Sequence, residues 1–325
     1  MSSVRPSKNY SVPATVIPIC GNERNALIAP TPAEAMAANR VASERRSTAA
    51  VGRMDGSLFP VHAWTRANYA ARMGARTQLP LAVTVAPLGD PAAAFVWAAS
   101  QGIRGVQLSA THPVMRPRDL GASARRDLRA TFTRLELVAS GIDAWIPAAH
   151  FMEPANAERA IDAACAACEL AGDLGRVPVT VQLPRAAVDS SDSPRRAEAI
   201  AAIVAAADRA GVLVADASNA DDAPWPPVGI SLDPAAVLAD GGDPAAFASR
   251  AGARIASARV VDLLHSGMRG PVGSSGESRL DVLAYRIALE MAGFHGLPVI
   301  DARQWVDPHA GVVASAEAWG RGIGP

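Results

Sequence analysis

VGISLDPAAVLADGGDPAAF, residues 228–247, contains the unit from which the rest of the chain is built. Val, Ile and Leu alternate over 228–232 as in a strand. Asp233 and Pro234 follow at once, and then an alanine-rich run with helical character. A short acidic side chain can accept from the free amides of a first helical turn, and proline fits the first helical position, so Asp-Pro after an apolar run predicts a strand-to-helix junction. The same junction recurs ten residues later at Asp243-Pro244, and again at Asp90-Pro91, Glu153-Pro154 and Asp307-Pro308.

Working outward from this unit, β-branched runs at 81–87, 103–109, 141–146, 177–183, 212–216, 228–232, 258–263 and 297–301 read as strands, with Ala-rich helical stretches between them. Strand alternating with helix predicts a parallel sheet covered by helices. Eight repeats in the 80–325 region fit an α/β fold, a (β/α)8 TIM barrel, better than an open doubly wound sheet. Residues 1–79, mixed in Pro, Ser, Asn and Arg, read as an irregular extension with short helices near 31–46 and 64–73.

Composition removes several chemistries. Of 31 basic residues one is lysine, Lys8, and it falls in the extension. Schiff-base aldolases, pyridoxal phosphate (PLP) enzymes and P-loop NTPases need a lysine in the folded site, and arginine does not release its proton. No Gly-x-Gly-x-x-Gly follows an early strand, which argues against NAD. Equal numbers of acids and bases, 31 each, argue against a general polyanion binder, so nucleic acid is disfavoured. The arginines from Arg116 to Arg134 are interleaved with Asp119, Asp127 and Glu136, as on a solvated helix face. Three cysteines, an odd number, fit a reducing cytoplasm. The absence of a long apolar run predicts no membrane segment. Cys165 and Cys168 lie within the helical stretch NAERAIDAACAACELAGDLG and read as core thiols.

In a parallel barrel the chemistry lies where strands end. The polar residues expected there are Ser109, Thr111, His112, His150, Gln182, Arg185, Asp216, Asp233, Arg259, Asp262, His265, Asp301 and Arg303. The segments GIRGVQLSAT, GVLVAD, VGISLDPAAVL, ARVVDLLHSGMRGPVG and LPVIDAR resemble strands two, five, six, seven and eight of the xylose isomerase-like barrels. That family includes sugar phosphate isomerases and epimerases.

The resemblance implies proton transfer next to a carbonyl of a small sugar or polyol derivative. It further implies one divalent metal (Mn, Mg or Zn), held after strands five, six and eight by Asp216, Asp233 and Asp301. Where the family has a histidine on strand seven this chain has Arg259, and two of the family's glutamates are replaced by shorter aspartates. The catalytic candidates are His150, Asp262 and His265, and the substrate-binding candidates are Arg259, Arg269, Gln182 and Arg303. Two readings stay open: an isomerase or epimerase, and a non-catalytic barrel that binds an anionic small molecule after losing its metal. DNA cleavage is disfavoured, because it calls for more His and Glu ligands than this mouth supplies. Substrate and oligomeric state are not legible in the sequence.

Overall fold

The computed structural model describes residues 81–185, 193–218, 227–273 and 276–321. The expected extension and its two short helices lie outside the described residues. Eight parallel strands close into a barrel: β1 (Ala82–Thr84), β2 (Gly105–Ser109), β3 (Val138–Ala144), β4 (Val179–Val181), β5 (Val214–Asp216), β6 (Val228–Leu232), β7 (Ile255–Val260) and, near the end of the chain, Val299–Ile300. That last strand pairs with both β1 and β7. Between β7 and it, a short antiparallel hairpin, β8 (Asp262–Leu263) with β9 (Arg269–Gly270), stands outside the barrel; the closing strand is therefore β10.

The helices are α1 (Pro91–Ser100), α2 (Ala122–Arg134), α3 (Ala157–Asp173), α4 (Ser193–Ala210), α5 (Pro234–Ala239), α6 (Pro244–Ala251), α7 (Val282–Met291) and α8 (Pro308–Gly320). Four of the five acid-proline junctions start helices as the sequence predicts. Asp90, Asp233, Asp243 and Asp307 each accept from amides of the first turn, at 2.9–3.3 Å. Glu153 does not. Helix α3 begins at Ala157, and the Glu153 carboxylate instead accepts from the Asn156 side-chain amide. Glutamate is one methylene longer than the side chains that favour the N-cap position. Gly102 and Gly211, with φ of 73° and 67°, turn the chain from α1 and α4 toward the next strands in a conformation that disfavours other residues.

Alternate strand residues face the lumen and the helices. The helix-facing set, including Val83, Val106, Leu108, Ile142, Val179, Val181, Ile230, Leu232, Val260 and Ile300, is fully buried. It packs against small and aliphatic side chains of the helices, with Phe95 and Phe132 in edge contact at 5.1 Å. Low bulk explains the alanine content: the helices approach the sheet closely, and Ala94, Ala98, Ala164, Ala167 and Ala207 are buried. Cys168 is buried within this shell and Cys165 lies against the Ala202 carbonyl of α4. Burial pushes both thiols up, Cys168 to about 12, so they pack as inert apolar groups. Among the described residues no helix is long and apolar enough to cross a membrane.

Candidate functional site at the carboxyl end of the barrel

Strand register decides which polar residues meet. Ser109, Asp143 and Thr180 are neighbours across β2, β3 and β4, Ser231 and Ser257 across β6 and β7, and Thr84 and Gln107 across β1 and β2. All seven are buried on the lumen side, as is Arg259. The lumen is thus polar, with Thr84 Oγ1 donating to Gln107 Oε1 at 3.0 Å. One pleat further along come Trp145, Gln182, Asp233 and Asp301, with Arg303 a pleat beyond Asp301.

Arg259 is the centre of the arrangement. Its side chain is 2% exposed, and it reaches three carboxylates. It donates to Asp301 Oδ2 and, at 3.5 Å, to Asp143 Oδ1, and its Nε lies 3.9 Å from Asp233 Oδ2. The phenol of Tyr285, on α7, donates to the Arg259 carbonyl at 3.1 Å and anchors β7 from behind. Two further guanidiniums close the cluster from above. Arg269, carried on the β8–β9 hairpin, sets one nitrogen 2.9 Å from Asp233 and 3.1 Å from Asp301. Arg303 grips Asp301 with Nε and Nη2, both at 2.7 Å, and Asp143 with Nη1. Three guanidiniums face three carboxylates.

Burial opposes the charge of Arg259, but Asp301, Asp143 and Asp233 outweigh it and hold its proton more firmly than usual. For Asp301 burial dominates and pushes the carboxyl up to about 6, against the pull of Arg259 and Arg269. Asp143 is likewise raised by burial, with Arg259 pulling it down. The Arg303 guanidinium lies 4.1 Å from the centroid of the Trp145 ring, a cation–π stack, and that indole is 58% exposed. Trp145, Arg269, Asp301, Arg303 and Gln304 line a depression of about 220 Å³ over the cluster. Gln304 takes a φ of 69°, which turns the backbone back at its edge.

Of the residues expected at the mouth, Arg259, Asp233, Asp301, Arg269 and Arg303 come together. Asp216 and Asp262 do not, because each is one residue out of phase with the lumen-facing set and a one-residue shift changes the face. The Asp216 carboxylate accepts from the Leu183 and Ser218 amides and the Ser218 hydroxyl, holding the chain after β4 to the chain after β5. Asp262 accepts from the amides of Arg279 and Leu280 and from Ser278 Oγ, which ties down the segment before α7. This bond set also corrects the seventh strand: the expected run to residue 263 leaves the barrel after Val260, and Asp262 begins the hairpin. His265 is exposed on that hairpin, Gln182 is exposed at the end of β4, and His150 sits half-buried in a 3-10 turn at Ala148–Phe151. None of these three is hydrogen-bonded to the cluster. Asp143 was not among the expected residues. An acid inside the apolar run GIDAWIP, in phase with the alternation, was the signal that marks it.

The donor set does not suit a divalent ion. Every carboxylate oxygen pointing to the centre already faces a guanidinium, and no imidazole joins them. Among the described residues no three His, Cys, Asp or Glu converge in a way that could hold a metal.

No protein-family model matches the chain, and no curated protein matches it by sequence. Solved structures do. A xylose isomerase domain protein from Planctomyces limnophilus superposes with a TM-score of 0.60 at 17% identity, over 75% of this chain and 97% of that one. An L-ribulose 3-epimerase gives 0.55 at 17% identity, over 75% and 94%. The D-psicose 3-epimerase from Clostridium cellulolyticum H10, solved with D-tagatose, gives 0.59 at 11% identity, over 74% and 98%. The chain has the fold of the xylose isomerase-like barrels. At these identities the likeness is one of fold.

Proposed function

We propose that the barrel takes up a small carbohydrate derivative bearing an anionic group, and that it does so without a bound metal ion. The observation that carries this reading is the lining of the depression. An exposed indole offers a flat apolar face of the kind sugar C–H groups pack against. Beside it Arg269 uses a single nitrogen for Asp233 and Asp301, and among the described residues its Nε and second terminal nitrogen make no hydrogen bond. A guanidinium with donors to spare matches a carboxylate or phosphate. The volume, about 220 Å³, falls below the roughly 300–1,000 Å³ usual for drug-sized ligands, and suits a ligand of monosaccharide size.

A second reading, isomerisation or epimerisation by proton transfer next to a carbonyl, draws on a different observation. Asp301 lines the same depression, and its carboxyl, at about 6, lies close to the range in which a general acid or base works near neutral pH. The epimerases among the structural neighbours support it at the level of fold. His150 and His265 serve this reading only if a ligand brings them inward, and Asp262 is committed to its loop.

Calorimetric titration with aldonic acids, uronic acids and phosphorylated monosaccharides, each with and without EDTA, tests the first reading. Binding that ignores EDTA supports it. Proton NMR of the same compounds in D2O tests the second: deuterium appearing on the carbon next to a carbonyl supports catalysis. Failure of every anionic compound to bind would sink the first.

A further inference from the structure

We infer that Arg259 is a built-in counter-cation: its guanidinium does within the protein what a divalent ion does between converging carboxylates, and it makes the mouth closed to metal. The argument rests on charge and space. Asp143, Asp233 and Asp301 bring three negative charges to a site where Asp143 and Asp301 are almost wholly buried. Such charges are tolerated only when compensated nearby. Arg259, Arg269 and Arg303 bring three positive charges to the same oxygens, and the sum is zero. A divalent ion entering this cluster would leave it with a net charge of two in a partly dehydrated place, and it would have to strip N–H donors from each oxygen it used.

Removing Arg259 reverses both conditions. Two guanidiniums then face three carboxylates, one negative charge is uncompensated, and the volume vacated lies between oxygens of Asp143, Asp233 and Asp301. Hard oxygen donors around an open volume suit Mn or Mg. Arginine at this one position therefore decides whether the site takes a metal.

The inference rests on the metal-free part of the binding proposal; the test needs no carbohydrate ligand, so its outcome is separate from whether an anionic carbohydrate binds. Wild-type protein is dialysed against EDTA, titrated with Mn2+, and followed by thermal unfolding, metal analysis and the Mn2+ electron paramagnetic resonance signal. Substoichiometric metal as purified and no change in Tm with Mn2+ are expected. Arg259→His and Arg259→Ala should melt lower than wild type in EDTA. Mn2+ at a free concentration a hundred times its dissociation constant should then raise their Tm by roughly 5–11 °C, and with protein in excess over Mn2+ the sharp free-ion signal should be lost. One tightly held metal per wild-type chain, or a wild-type Mn2+ shift lost in Asp301→Asn, would overturn the inference. Should both Arg259 variants fail to fold, the wild-type measurements decide it unaided, with Arg259→Lys as a control that keeps the charge and should stay indifferent to Mn2+.

Discussion

Asp301 and Asp262 are both fully buried, each follows one of the last two strands of the barrel, and they are satisfied in opposite ways. Asp301 points into the lumen and is held by three guanidiniums. Asp262 points outward and is held by two peptide amides and a hydroxyl. The difference comes from pleat phase and from the departure of the chain into the hairpin after Val260, and it separates a region that concentrates paired charge beneath the mouth from one that locks a loop with fixed dipoles. Each buried carboxylate is compensated by whatever donors its face offers, and only the lumen face adjoins the depression.

The largest expected effect is on the lumen side. Arg259→Met leaves Asp143, Asp233 and Asp301 without their central partner, and breaking a buried charge pair in this way costs about 3–5 kcal/mol. Denaturant unfolding would measure it, and a loss below about 1 kcal/mol would show that Arg269 and Arg303 suffice. On the outer side, Asp262→Ala strands the Arg279 and Leu280 amides, for which about 2–3 kcal/mol is expected. Hydrogen exchange should show the loss confined to the segment before α7 and the β8–β9 hairpin; exchange rising equally at the rim would break the distinction between the two regions.

A smaller effect separates the two carboxylates by pH. Burial lifts Asp301 from its ordinary 3.8 to about 6, so the folded state holds the proton more tightly than the unfolded chain does. This contribution to stability is full below 3.8 and is lost as pH rises through about 6. Urea unfolding at pH 5 and pH 7 should show wild type gaining stability at pH 5 relative to Asp301→Asn, which lacks the titrating group. The opposite sign would mean that the guanidiniums, not burial, govern the carboxyl. The smallest effect belongs to neither region: Arg104 and Glu136 form an exposed pair at 3.4 Å, and Arg104→Ala should change stability by less than about 0.5 kcal/mol in the same urea assay.

The acid-proline junctions make the barrel legible, because capping chemistry is local and Asp233, Asp243, Asp90 and Asp307 need only their next three residues to act. Phase is less local. Asp216 and Asp233 both end short apolar runs in the sequence, yet Ala215 takes the inward place on β5 and turns Asp216 out, while Ser231 puts Asp233 in step with the lumen. Bulges between Val106 and Gln107 and between Ile230 and Ser231 shift that count, and nothing in composition announces them. Residues 258–263 form one unbroken apolar-rich run, so the departure of the chain into a hairpin after Val260 depends on partners 16 to 18 residues away. Asp143 could have been found by counting alternation within β3. The pairing that makes it part of the cluster, to Arg259 and Arg303, spans 116 and 160 residues and has no local trace.

The equality of charge at the mouth also bears on how a ligand arrives. Six charges, three of each sign, paired within 3.9 Å cancel one another well inside the ~8 Å over which salt screens a field at physiological ionic strength. From any greater distance the rim looks neutral, as does the chain as a whole, with 31 bases against 31 acids. An anion is therefore not drawn in by a long-range field. On the proposed reading it would diffuse to the mouth at a rate that ionic strength hardly alters, and discrimination would begin only on contact, when the spare nitrogens of Arg269 meet the newcomer. Selectivity in such a site resides in how long a ligand stays, not in how fast it comes.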